Sequence, residues 1–181
     1  GSGERFESLA AWGMSSERFI ASGKLNGEII VTRVGAPKLP VLRGRDRGCP
    51  VRALAPHPNG QTLAAAGPDG SLSFWRWDGK SWQPIGAKVD DGPCGLTTDA
   101  RQIDAALAWS PDGSLLAWST GRSIRVLSVS EGLVTPLGQN DSDHKADVAA
   151  VLFGGDGRTL YSVDAAGAVL RWDIGLLGAA S

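Results

Sequence analysis

Few residues of this chain carry side chains suited to catalysis, and their spacing does not assemble them into a catalytic set. Ser110 lies in a predicted turn with no histidine near it in the pattern, so it lacks a general base. His57 and His144 fall at opposite ends of the predicted strands and cannot share a metal ion. The glycine-rich residues 154–157 lack the lysine and the following helix of a phosphate-binding loop. The sequence therefore predicts no enzyme, no catalytic residue, no metal and no cofactor.

The two cysteines, Cys49 and Cys94, are too few for a disulfide scaffold or a zinc site. They occupy equivalent places in successive connections, so we expect them on the same face of the fold. The N-terminus has neither the basic start nor the apolar centre of a signal peptide. These observations predict two unbridged thiols and a cytoplasmic location.

Composition and charge predict a single folded domain. Hydrophobic residues make up 42% and charged residues 20% of the 181 residues, and the net charge is −1. That charge gives no electrostatic footprint for nucleic acid, and no apolar run approaches the ~20 residues of a membrane helix. The sequence therefore predicts neither a nucleic-acid nor a membrane partner. Residues 1–3 are typical of a cloning remnant, which leaves 4–181 as the domain.

Residues 56–78 contain a pattern of two short strands and two turns. Asn59-Gly60 and Asp69-Gly70 are turn dipeptides. Residues 62–67 form a small apolar run between them, and residues 71–77 alternate in the manner of a strand. The same pattern is present four times in the chain. The residues in equivalent positions are Thr32, Trp75, Leu127 and Trp172, at intervals of 43, 52 and 45 residues.

A period in the forties, built from short strands, is typical of a four-stranded propeller blade. We therefore predict an all-β fold with four antiparallel blades per chain, either half of an eight-bladed ring or part of a larger propeller. The predicted bounds are about 6–43, 44–86, 103–138 and 144–181 for blades one to four. The outermost strand of the fourth blade is expected to be short or missing.

Three phrases carry a family resemblance: WSPDG at 109–113, Trp77-Asp78, and LRWDI at 170–174. With them, the chain resembles the WD40-repeat β-propeller family over nearly all of residues 8–174. The resemblance implies a protein–protein interaction scaffold or sensor module.

The resemblance also implies structural roles for matching residues. WD40 blades share a hydrogen-bonded set of a histidine before the first strand, a serine or threonine in the second, an aspartate in the next turn and a tryptophan in the third. No copy is complete, and Ala166 stands where the fourth copy should have its aspartate. Structural roles are expected for the matching residues that are present: His144, Ser162 and Trp172 in the fourth copy, and Asp69 and Trp75 in the second.

The connections between blades are the predicted binding surface. They span about 42–50, 86–102 and 138–147 and are long and charged, whereas the turns at the other end are short. Function concentrates on loops held by a rigid scaffold, although such loops can also be plain connectors. The alternatives are a structural fragment of a larger propeller or an enzyme using the same face. The predicted partner-binding residues are Arg45, Asp46, Arg47, Asp90, Asp91, Asp99, Arg101, Asp141, Asp143 and Lys145.

Ring closure predicts self-association. WD40-like blades meet at angles suited to about seven or eight per ring, so four blades make half a circle with two uncovered faces. A two-fold homodimer would close an eight-bladed ring. The alternatives are a fragment of a longer protein that pairs with separate blades, and a strained four-bladed ring. The predicted contact residues are Leu9, Phe19, Ile29 and Val31 on the first blade and Val151, Phe153, Tyr161, Leu170 and Trp172 on the fourth.

Overall fold

The computed structural model describes residues 5–14, 17–36, 41–43, 49–68, 70–89, 105–130, 133–140 and 144–174. Within these ranges, residues 14, 43, 87–89, 130 and 133–140 are described by their backbone alone. The predicted blade bounds also include residues outside these ranges and stay a prediction there.

The described residues form fifteen strands in four antiparallel sheets, which confirms the all-β prediction. Sheet 1 contains β1 (Phe6–Met14), β2 (Glu17–Lys24), β3 (Glu28–Arg33) and β4 (Leu42–Arg43). Sheet 2 contains β5 (Ala53–Pro56), β6 (Thr62–Ala66), β7 (Leu72–Trp77) and β8 (Trp82–Val89). Sheet 3 contains β9 (Leu107–Trp109), β10 (Leu115–Thr120), β11 (Ser123–Ser130) and β12 (Leu133–Asn140). Sheet 4 contains β13 (Val148–Phe153), β14 (Thr159–Asp164) and β15 (Val169–Asp173).

Each sheet is a simple meander in which neighbouring strands follow one another along the chain. Short strands and tight turns produce this order, because each turn brings the next strand antiparallel to the last. Sheet 4 has three strands in the described residues. An outermost strand would follow residue 174, outside these residues, so its expected short length or absence stays a prediction. No helix in the part of the chain that is described is long and apolar enough to cross a membrane.

Three hydrophobic cores hold the sheets together in chain order. The first joins sheets 1 and 2 around Phe19 and Trp75, and the second joins sheets 2 and 3 around Phe74 and Trp118. The third joins sheets 3 and 4 around Val126. Sheets 2 and 3 lie in the middle of this order, so each of them packs against a neighbouring sheet on both faces. They are therefore the most enclosed part of the fold.

No core among the described residues joins sheet 4 to sheet 1. Within the described part of the chain, one face of each of these two sheets therefore packs against no core. We call them the free face of sheet 1 and the free face of sheet 4. Leu9 is 72% exposed on the first, and Leu152 and Val169 are 67% and 66% exposed on the second.

The register of sheet 1 places three of the predicted self-association residues away from its free face. Phe19, Ile29 and Val31 lie on the opposite side, in the core shared with sheet 2. Successive side chains of a strand point to opposite faces, so the neighbours of buried residues point outwards. Leu9 and Ile20 accordingly lie on the free face.

The same alternation applies to sheet 4. Val151 and Phe153 are buried against sheet 3, and Trp172 packs against that core from the same side. Leu170 pairs with Ser162 on this side as well. Of the residues predicted for this sheet, Tyr161 alone lies on the free face, beside Leu152 and Val169.

Cys49 is buried and forms a disulfide bond, so the prediction of unbridged thiols is wrong. The other cysteine of the sequence, Cys94, lies outside the described residues. The disulfide removes the free-thiol argument for a cytoplasmic location, which stays a prediction.

Candidate functional site

A chain of four hydrogen-bonded side chains, three of them buried, crosses the inner side of sheet 4. The indole Nε1 of Trp172 donates to Ser162 Oγ at 2.8 Å, and Ser162 Oγ lies 2.6 Å from His144 Nε2. His144 Nδ1 in turn lies 3.1 Å from the carboxylate Oδ2 of Asp164. This network is the hydrogen-bonded set that the family resemblance implies.

The partners determine which atoms carry the hydrogens. A carboxylate can only accept, so His144 Nδ1 donates to Asp164. Ser162 Oγ already accepts from the indole, so its hydroxyl hydrogen is directed to His144 Nε2 in the neutral imidazole. The donors therefore run in one direction, from Trp172 through Ser162 and His144 to Asp164.

Asp164, rather than the residue at position 166, supplies the carboxylate of this network. It closes β14, and its Oδ1 accepts the backbone N–H groups of Ala166 at 3.0 Å and Ala168 at 2.9 Å. The hydrogen bond from Ala168 and the contact with His144 hold the pKa of Asp164 below its usual value. The fourth copy thus has all four members, and the inference that it was incomplete was wrong. The sequence signal is an aspartate ending a strand three residues before Gly167, whose φ is 86°.

The order serine, histidine, aspartate is also that of a hydrolase triad. Here Ser162 and His144 are each 2% exposed, and the serine oxygen is held by the indole. A nucleophile must reach its substrate, and this one faces the interior of the fold. The geometry therefore supports a structural role for the network.

In the second and third copies, different residues occupy the positions that Ser162 and Trp172 hold in the fourth copy. These positions are called here the slot. Trp75 matches Trp172 but lies in the apolar core with sheet 1, beside Ala65. In the third copy, Trp118 stands at the register position of Ser162 and Leu127 at that of Trp172. Asp69 lies outside the described residues.

His57 connects sheets 2 and 3 at the end of the fold opposite His144. Its Nδ1 accepts the N–H of Asn59 at 3.0 Å, so Nε2 carries the hydrogen and donates to the carbonyl of Gly113 at 3.0 Å. The imidazole also packs edge-on against Trp109, with ring centres 4.6 Å apart. No cluster of three metal-ligating side chains occurs in the described ranges.

The turns between the first and second strands of sheets 2, 3 and 4, at 57–61, 110–114 and 154–158, are called here the plain-turn end. In each turn, a backbone N–H two residues further on donates to an Asn or Asp side chain. The Ser110 hydroxyl and the N–H of Ser114 lower the pKa of Asp112 to about 2. The Asn and Asp side chains of these turns are thus engaged within their own turns.

The opposite end of the sheets, where the connections between blades and the partner-binding residues are predicted to lie, is called the crossing end. Of these residues, Lys145 alone is described, and its side chain is exposed. The others lie outside the described residues: Arg45, Asp46, Arg47, Asp90, Asp91, Asp99, Arg101, Asp141 and Asp143.

Comparison with known proteins shows where the similarity lies. Residues 38–76 match the family described as WD domain, G-beta repeat. A stretch of 91 residues is 33% identical to WD repeat and SOCS box-containing protein 1 of Danio rerio, and it covers 50% of this chain. The matched stretch spans 21% of that relative's length.

Proposed function

We propose that this chain, which carries a WD40 repeat, acts as a protein–protein interaction scaffold or sensor module that binds through its crossing end. The observation that carries the proposal is the difference between the two ends. At the plain-turn end the Asn and Asp side chains of the turns are engaged by their own backbone. The connections predicted for the crossing end are longer in the sequence and contain charges of both signs, and Lys145 is exposed there.

Mixed charges at such an end suit a protein partner. Charges of both signs, arranged to complement a partner, direct association and exclude wrong partners more than they add affinity. The predicted partner-binding residues are arginines, aspartates and one lysine, so charges of both signs are present among them. The rigid sheets beneath them would hold the connections in place.

A paired charge reversal tests the proposal. We expect Arg45→Glu with Arg47→Glu to weaken capture of partner proteins from cell extract and to leave Tm nearly unchanged. The matched control is Lys80→Glu with Arg158→Glu, which changes the same charge at exposed positions of the opposite end. Quantitative mass spectrometry would compare the proteins captured by each variant. Loss of binding with the control pair instead would place the binding surface at the other end.

The free faces support a second copy of the chain as a further partner. Both faces expose aliphatic or aromatic side chains: Leu9 and Ile20 on sheet 1, and Leu152, Tyr161 and Val169 on sheet 4. In a two-fold homodimer, sheet 4 of each copy would pack on sheet 1 of the other and close an eight-bladed ring. The alternative is a larger propeller in which further blades cover the two faces, and the short span of the match to its relative favours it.

The mass of the protein in solution distinguishes the homodimer from the larger propeller. A homodimer gives about twice the 18.8 kDa of the chain by light scattering, and Leu152→Asp should return it to a monomer. Leu152 is the suitable site because Phe153, its neighbour, is buried and its replacement would disturb folding. Leu25→Asp, at an exposed turn residue away from both faces, is the control. A monomer at micromolar concentration would leave the larger propeller as the account to pursue.

A further inference from the structure

The first turn of sheet 2, at 57–61, differs in its chemistry from the equivalent turns of sheets 3 and 4. In all three turns the N–H of the fourth residue donates to the carbonyl of the first. The side chain that accepts a further backbone N–H is a carboxylate in sheets 3 and 4, from Asp112 and Asp156. In sheet 2 it is the uncharged Asn59, and the titratable group of the turn is the imidazole of His57.

The imidazole of His57 holds this turn and joins it to sheet 3. Its Nδ1 accepts the N–H of Asn59 at 3.0 Å, and its Nε2 donates to the carbonyl of Gly113 at 3.0 Å. The ring also packs edge-on against Trp109. The bond from Asn59 requires the neutral imidazole with its hydrogen on Nε2, because Nδ1 accepts only through a free lone pair.

Two prolines limit how far the backbone can adjust to a change of this ring. Pro56 precedes His57 and Pro58 follows it. A residue before proline is confined to extended conformations, and proline itself has a fixed φ. If Nδ1 gains a hydrogen, it and the N–H of Asn59 are two donors facing each other at 3.0 Å. The imidazole must then move, and its contacts with sheet 3 are lost with the movement.

The charged surroundings of His57 are simple. Among residues 55–61 and 107–114, which contain the turn and the segment packed against it, Asp112 is the one other residue with a charged side chain. Its carboxylate accepts hydrogen bonds from both serines of its own turn, and these hold its pKa at about 2. Its charge is therefore constant between pH 8 and pH 5. In these segments only His57 can change its charge over that range.

The same turn also contacts sheet 1. The indole Nε1 of Trp12 donates to the carbonyl of Gly60 at 2.9 Å, and Gly60 is buried. Turn 57–61 is thus bonded to sheet 1 through Gly60 and to sheet 3 through His57. His57 itself is partly exposed, so protons reach it from solvent. A displacement of this turn changes the contacts among three sheets at the plain-turn end.

We propose that His57 makes a pH-sensitive contact that holds sheets 1, 2 and 3 together at the plain-turn end. Histidine is the side chain that ordinarily changes its charge between pH 5 and 8. The neutral imidazole bonds turn 57–61 to sheet 3, and the charged imidazole releases it. The apolar cores between the sheets contain no charged group and stay packed. Mild acid therefore loosens this end without unfolding the chain. Neither the crossing end nor the free faces take part, so the proposal is independent of the function proposed above.

Hydrogen exchange followed by NMR at about pH 7.5 and about pH 5.5 tests the proposal. Protection factors are compared, because they correct for the effect of pH on chemical exchange. We expect protection of the Gly60 amide and of the Trp12 indole N–H to fall about ten-fold at the lower pH, since two hydrogen bonds of the turn are lost. The Gly157 amide makes the equivalent bond in sheet 4 and should keep its protection. Unchanged protection of Gly60 would overturn the proposal.

His57→Gln separates the charge of the imidazole from its contact with Gly113. The glutamine amide can donate to the same carbonyl but takes up no proton in this range. The difference in Gly60 protection between the two pH values should therefore disappear. A response that persists in this variant, or an equal loss of protection at Gly157, would assign the effect to another group such as His144 and reject the proposal.

A second measurement on the wild-type chain does not depend on the folding of the variant. The ¹⁵N chemical shifts of the His57 ring should show a hydrogen on Nε2 alone at the higher pH. The midpoint of their titration should coincide with the midpoint of the loss of protection at Gly60. A hydrogen on Nδ1 at the higher pH, or two different midpoints, would contradict the proposed contact.

Discussion

Sheets 3 and 4 fill the same slot with opposite chemistry. At one register position of the second strand, sheet 4 has Ser162, which links Trp172 to His144. Sheet 3 has Trp118 there, fully buried, with the guanidinium of Arg125 5.3 Å from its ring centre. Both solutions support a blade of the same topology.

The comparison shows that the repeat requires a filled slot and not a particular set of residues. A tryptophan fills the slot by volume, and its contribution grows with the apolar surface that it buries. The polar chain contributes only when every member is present, because a buried donor or acceptor without a partner is costly. Sheet 4 is therefore the more sensitive to single polar substitutions.

The largest expected effect is in the apolar slot. Trp118→Ala should lower the free energy of unfolding by about 3–5 kcal/mol, because the cavity lies between sheets 2 and 3 where little can collapse into it. Denaturant unfolding measures the change. Leu152→Ala, at an exposed position, should cost less than about 0.5 kcal/mol. A loss below 1 kcal/mol for Trp118→Ala would show that the slot need not be filled.

His144→Ala should have the next largest effect, about 2–4 kcal/mol. It leaves the buried Asp164 carboxylate and the Ser162 hydroxyl without their common partner. A double-mutant cycle of His144→Ala with Asp164→Ala should give a coupling of about 0.5–3 kcal/mol. Strict additivity of the two substitutions would contradict the network.

Gly113→Ala tests the contact between sheets 2 and 3 and should cost about 2–3 kcal/mol. Its φ of 76° is unfavourable for alanine, and the added Cβ would clash with His57 Nε2, so the imidazole must move. Gly79→Ala is the matched control, because Gly79 has a φ of 93° and open space around it. The control should cost about 1 kcal/mol. Equal costs would mean that His57 does not connect the two sheets.

The smallest expected effect is the loss of stability when Asp164 is protonated, and its dependence on pH identifies it. The folded-state pKa of Asp164 lies below its ordinary value, so the stability contributed by its ionised form is present above pH 3.8 and is lost as the pH falls through the folded value. Asp112, with a pKa of about 2, contributes to the same loss of stability at low pH. Tm measured between pH 5 and pH 2 should fall, and Asp164→Asn should flatten the decline. Trp118→Phe should leave its slope unchanged.

The repeat and its strand order could be predicted from the sequence because both depend on local signals. Turn dipeptides such as Asn59-Gly60 occur at a regular spacing, and the apolar runs between them are too short for helices. The family resemblance, carried by phrases such as WSPDG, is confirmed by the match at residues 38–76. Four meandering sheets follow directly from these features.

What only the tertiary structure decided is which side of each strand meets a neighbour. Ile29 and Ile30 are equally apolar, so the sequence does not distinguish the buried side chain from its neighbour, and the packing of sheet 2 on sheet 1 selects Ile29. Asp164 and His144 are 20 residues apart in the sequence and meet through a hydrogen bond. Residue matching placed the aspartate of this network two positions too late, at 166. The disulfide of Cys49 likewise depends on proximity in space, which spacing along the chain does not reveal.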